Sequence, residues 1–137
     1  MIILDTDVLS AVMRAEAAAI LWLDRQPRPS VWSTTVTILE IRFGLAIMPV
    51  GRRWTERQAA FELLLSEKLE GRVLSFDERA AEETALLMAA RHRAGMPREL
   101  RDTMIAGIAL AQRATLATRN VRHFHDLRVK IVDPWRE

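Results

Sequence analysis

No cysteine occurs in the 137 residues, which excludes disulfides, thiol catalysis and thiolate metal sites and suits a reducing compartment. Long apolar runs are missing too. The longest, Ala17 to Leu23, falls far short of the ~20 residues that a transmembrane helix needs, so no membrane span is expected. The opening Met1 to Asp7 carries two acids and no cation where an export signal would be basic and then apolar, and a cytoplasmic protein is expected. Lysine is scarce: of 20 cationic residues only Lys68 and Lys130 are not arginine. There is no repeat, low-complexity tract or linker, so residues 1–137 are expected to form one domain around one core.

Half of the residues are apolar and 28% are charged, a composition outside the range of disordered chains. The formal net charge is only +2. Arginine forks suit bidentate binding of phosphate or carboxylate, but they also pair with acids on helix surfaces. The basicity therefore permits a nucleic-acid partner without demonstrating one.

Five short apolar runs alternate with helical stretches. Ile2-Ile3-Leu4, Val31-Trp32-Ser33, Val73 to Phe76, Thr115 to Thr118 and Val129 to Val132 read as strands. Helical spacing predicts one helix from Val8 to Trp22, then others from Val36 to Met48, Arg53 to Leu69, the Asp77 cap to Arg93, and Arg98 to Ala114. Pro27, Pro29, Pro49, Gly51, Gly71, Gly95 and Pro97 punctuate them. This order predicts a three-layer α/β/α sandwich around a mostly parallel five-stranded sheet. In such sheets ligands bind beyond the carboxyl ends of the strands, near the switch in strand order.

Four groups of polar residues fall where that rule looks: Asp5 with Asp7, Glu40, Asp102, and Thr118-Arg119-Asn120. Each also has a structural reading. Asp5 or Asp7 could cap the following helix, and Asp7, nearer the helical run, is the better cap. Glu40 stands three residues after Thr37, as in a capping box, yet sits among Ile38, Leu39, Ile41 and Phe43, where a carboxylate needs a partner. Asp102 is favoured in the first turn of its helix by the macrodipole. The helix it opens is almost wholly apolar, and Ala106 and Gly107 would let it approach its neighbours closely. Three carboxylates meeting on one sheet rim, without cysteine or a suitably spaced histidine pair, suit a hard cation such as Mg²⁺ or Mn²⁺. The chemistry this points to is phosphodiester hydrolysis by an activated water. His123 and His125 are expected in a solvated loop, and the Met and Trp residues in the core or an interface.

Asp5-Thr6-Asp7-Val8-Leu9, Thr37 to Gly44, Arg101 to Ala106, Ala117 to Val121 and the closing Asp133-Pro134-Trp135 occur in an order and spacing that resemble the VapC-type toxins of the PIN-domain ribonucleases. Gly44 to Arg53 looks most like their FitB-like branch. The resemblance implies an RNA endonuclease dependent on Mg²⁺ or Mn²⁺, forming a homodimer or a hetero-oligomer with a cognate antitoxin. It implies Asp5, Glu40 and Asp102 as catalytic acids, Asp5 and Asp102 as metal ligands, and Thr6, Thr118 and Asn120 as support. Arg119 would contact an RNA phosphate. Asn120 stands where FitB-like relatives carry an acid, which leaves one metal or two open. Two other readings compete: a PIN-fold binding module without activity, and a phosphohydrolase forming an aspartyl-phosphate on Asp5, resembling the haloacid dehalogenases. The latter also wants a lysine on the phosphate.

Overall fold

A computed structural model describes residues 1–137. Five strands, β1 (Ile2–Leu4), β2 (Val31–Thr34), β3 (Val73–Leu74), β4 (Thr115–Ala117) and β5 (Ile131–Val132), form one sheet in the order β3-β2-β1-β4-β5. Every neighbouring pair is parallel. The chain steps outward from β1 to β3 and then returns to the other side of β1, so the switch in strand order lies between β1 and β4.

Alternation along the two central strands separates the layers. Ile3 and Leu116 enter one core with Ala80, Ile105, Ile108 and Phe124, whereas Leu4 and Ala117 enter another with Val8, Leu9, Trp22, Phe61 and Leu69. Strands buried on both faces in this way must be apolar throughout, as these are. Helices α5 (Glu78–Arg93) and α6 (Leu100–Gln112) cover the first core; α1 (Thr6–Met13), α2 (Ala17–Asp24) and α4 (Arg52–Leu63) cover the second. Helix α3 (Thr35–Ile47) reaches both cores through Val36 and Ile41. The expected three-layer sandwich is the observed one. A Cβ on Gly107 would collide with the Thr84 hydroxyl and the Ala80 carbonyl, so glycine is what lets α6 lie against α5. No helix is long and apolar enough to cross a membrane.

Several boundaries differ from the sequence expectation. The single helix expected over Val8–Trp22 is two. Ala15 adopts φ 60°, its N–H donates to the Val12 carbonyl, and the Glu16 N–H donates to the Ala11 carbonyl. That is a Schellman termination with alanine where glycine is usual. The expected Arg53–Leu69 helix starts at Arg52 and finishes as a π-helical turn, Leu64–Lys68. The third and fifth strands are shorter than expected, because the sheet pairs only Val73–Leu74 and Ile131–Val132.

Candidate active site on the rim between β1 and β4

The rim is assembled by short polar residues immediately beyond the central strands. Asp5 follows β1 and donates its N–H to the Ala117 carbonyl, which locks the end of β1 to β4. Its side chain is buried, and each carboxyl oxygen has one donor: the Thr6 N–H at 2.8 Å and the Thr118 hydroxyl at 2.8 Å. Thr118 in turn accepts the Asn120 N–H at 3.0 Å. Asp5 is thus the N-cap of α1, and the assignment of the cap to Asp7 is corrected. Asp7 lies inside the first turn, where one carboxyl oxygen accepts the Arg119 N–H at 3.0 Å. Its other oxygen is buried with no partner at all.

Glu40 arrives from α3. The cap of that helix is Thr34, whose hydroxyl accepts the Thr37 N–H, so the Thr37–Glu40 capping box does not form. Glu40 instead accepts the Thr6 hydroxyl at 2.7 Å, and Thr6 also touches the Thr37 hydroxyl at 3.0 Å. A chain of threonines therefore carries the position of β2 and α3 to the residue beside Asp5. The setting of Glu40 is also less apolar than its neighbours suggest, because Leu39 and Phe43 are more than half exposed. Its second oxygen faces the Arg101 guanidinium at 3.8 Å.

Asp102 stands in the first turn of α6, its N–H given to the capping Glu99 carboxylate at 3.0 Å. Its Oδ2 is 3.7 Å from His123 Nδ1. The expectation that His123 is merely solvated is corrected here, since the 3-10 turn Val121–His123 after β4 brings it against Asp102. His125 is exposed, as expected. The signal that could have found His123 was its place six residues beyond the end of β4, on the segment that leaves the rim.

These carboxylates sense one another. Burial pushes the Asp5 carboxyl up to about 7, with repulsion from Asp7 and, more weakly, from Asp102 adding to it. Burial also raises Asp7, assisted by Asp102. Burial raises Asp102 too, with Glu99 and Glu40 contributing repulsion. Like charges converging in a desolvated place call for a cation. No three acid or histidine side chains are close enough to form a complete metal cage by themselves. A small hard cation is commonly held by one or two carboxylates plus water and substrate oxygens, and the donors present are of that kind: oxygen only, with one buried carboxylate oxygen unpartnered.

Neither lysine reaches this rim in a phosphate-binding role: Lys68 pairs with Asp24 at 2.7 Å, and Lys130 precedes β5 on the surface. The aspartyl-phosphate reading lacks its cation. Arg119, Asn120 and His123 lie on a neighbouring cleft, so Asn120 supports Asp5 through its backbone N–H and the Thr118 hydroxyl rather than through its amide.

Comparison with known proteins bears on the family and the fold. The PIN domain family matches over residues 2–130. The chain is 38% identical to the VapC ribonuclease Y4jK of Sinorhizobium fredii, over 98% of each chain. It is equally similar, at 38% identity, to the plasmid stability protein StbB of Pseudomonas syringae pv. tomato, over 98% of this chain and 99% of that one. Among solved structures, FitAcB from Neisseria gonorrhoeae superposes with a TM-score of 0.84 at 28% identity, covering all of both chains.

Proposed function

The chain belongs to the PIN-domain family, and from that premise we propose that it is the ribonuclease toxin of a toxin–antitoxin pair, hydrolysing RNA with Asp5, Glu40 and Asp102 around a divalent cation. The observation that carries this is the convergence of carboxylates at the β1–β4 switch, where Asp5 is buried against repulsion from Asp7 and Asp102, Asp102 is raised by burial and by Glu99 and Glu40, and the adjoining Asp7 keeps one buried oxygen without a partner. Mg²⁺ or Mn²⁺, held by Asp5 and Asp102, would supply an electrophile for the phosphoryl oxygens and orient the attacking water. The chain's own residues do the rest. The Thr6 N–H and the Thr118 hydroxyl each hold one oxygen of Asp5 and so fix the plane of its carboxylate. Thr6 also holds Glu40 by one oxygen, leaving Oε2 to accept the proton of the water that adds to phosphorus. As the P–O ester bond breaks, the departing oxygen takes up a proton from bulk water, and Glu40 returns its own to solvent.

The relatives also support a protein partner. The chain is 29% identical, over all of both chains, to a protein described as toxin FitB of Neisseria gonorrhoeae, and in this chain Leu39, Phe43 and Ile47 form an exposed apolar stripe along α3. Such a stripe suits a helix of a cognate antitoxin or a second copy of the chain. The test of the catalytic reading is direct. Purified protein should cut RNA in Mg²⁺ or Mn²⁺ and stop on adding EDTA; cutting that continues at full rate in EDTA contradicts it.

A further inference from the structure

The rim acids lie between two arginine-lined clefts of different chemistry. One, of about 280 Å³, runs from Thr6 and Glu40 between α1, α3 and α4; Arg14, Arg53 and Arg57 border it, but Met13, Ile41, Leu45 and Met48 form its walls. The other, of about 710 Å³, lies between the turn after β4 and the C-terminal segment. Its cations are Arg119, Arg122 and Arg136, the His123 ring lines it beside them, and Asp133 is the one acid there.

None of these cations is fully neutralised. Arg136 is 87% exposed and meets Asp133 only at 3.6 Å, while Asp133 also accepts the Trp135 N–H. Arg122 is exposed. The Arg119 guanidinium lies 4.4 Å above the Trp135 ring, which fixes its plane, and reaches Glu16 only at 4.0 Å. His123 joins this cleft to Asp102. A polyanion crossing the acidic rim is repelled by it and must be gripped beside it, and phosphate contacts from arginine do that without reading the bases.

Resting on the nuclease reading, the geometry points to this second cleft as the subsite that holds the RNA sugar-phosphate backbone on one side of the scissile bond, with Arg122 and Arg136 each pairing with a phosphate. The strand leaves the rim past His123 and does not follow the apolar-walled cleft of Arg53 and Arg57. An acidic protein segment fits less well, because only Val121 and Ile131 offer it apolar contact.

The experiment is the salt dependence of kcat/KM for cleavage of a single-stranded RNA in Mg²⁺. Each lost phosphate contact makes the logarithmic slope shallower by about 0.7, so the Arg122→Ala/Arg136→Ala variant should lose about 1.4 and Arg53→Ala/Arg57→Ala nothing. Circular dichroism of both variants checks that they fold. An unchanged slope in the first variant overturns the assignment, and a shallower one in the second places the strand in the other cleft. Inhibition by polyglutamate that vanishes in the first variant while its slope stays unchanged makes the occupant an acidic protein segment. In all of these cases the wild type still cuts RNA and the nuclease reading survives; a wild type that cuts no RNA removes both.

Discussion

Two places in this molecule bury charge, and they are built in opposite ways. Arg91 is 4% exposed, yet four of the five N–H donors of its guanidinium are engaged. It binds both oxygens of Asp126 at 2.9 and 3.0 Å, the Thr103 hydroxyl at 3.1 Å and the His123 carbonyl at 2.9 Å. The Asp126 carboxyl is accordingly held below its ordinary value, chiefly by the hydrogen bond from Arg91. A few residues away, Asp5, Asp7 and Asp102 gather charge of one sign, all with raised pKa, and one buried oxygen has no donor. A satisfied buried network is a strut, whereas an unsatisfied one of a single sign is a receptor for the missing charge. The two are coupled, because the Arg91 strut grips Thr103 and His123, the immediate neighbours of Asp102 in sequence and in space.

The largest effect that would break this contrast is on activity. Asp5→Asn and Asp102→Asn should each lower RNA cleavage by about 10²–10⁴-fold, with unchanged circular dichroism, because a site function rather than a structural one is removed. Normal cleavage by both variants would make the acidic cluster a structural oddity.

Next comes the pH dependence of stability. The Asp5 carboxyl rises from 3.8 to about 7 on folding, so between those values the folded state binds more protons than the unfolded one and stability falls as pH rises. At about 1.4 kcal/mol per unit the loss approaches about 4 kcal/mol above pH 7. Thermal melts in EDTA should therefore drop from pH 4 to pH 7, flatten in Asp5→Asn, and recover at pH 7 when Mg²⁺ is added. The strut should behave in the reverse sense. Because the Asp126 carboxyl is lowered, its contribution is present above its unfolded pKa and is lost as pH falls through the folded one.

Removing the strut should cost less. Arg91→Ala should destabilise the protein by about 3 kcal/mol, the low end for breaking a buried pair because Asp126 keeps contact with water. Urea unfolding measures it. The smallest effect marks the baseline for charge on the surface. Arg52 and Glu56 pair at 3.0 Å but are 93% and 64% exposed, so Glu56→Gln should change stability by no more than about 0.5 kcal/mol.

Much of the frame was legible before any coordinates. Ile2-Ile3-Leu4 ending at Asp5, and Leu116-Ala117 ending at Thr118, announce buried strands by their apolar pattern, and Gly107 announces a close helix contact. These features are local, and period or steric size reveals them. What stayed hidden depends on long-range geometry or on a residue used against its propensity. Ala15 takes a left-handed conformation that alanine seldom adopts, so nothing marks the break between α1 and α2. The cap passes from Asp7 to Asp5 with the Asp7 carboxylate turned to the distant Arg119 N–H, and Glu40 turns from Thr37 to Thr6 across 34 residues, so long-range partners decide both. His123 meets Asp102 only after the turn beyond β4 is held down by Arg91, a contact across 32 residues.

Crystals grown or soaked in Mn²⁺ and measured at its absorption edge offer the most direct check on whether these acids share an ion. A strong anomalous peak bounded by the Asp5 and Asp102 carboxylates, and absent in Asp5→Asn, is expected. Peaks lying only elsewhere, or none at saturating Mn²⁺, would contradict a shared cation on the β1–β4 rim.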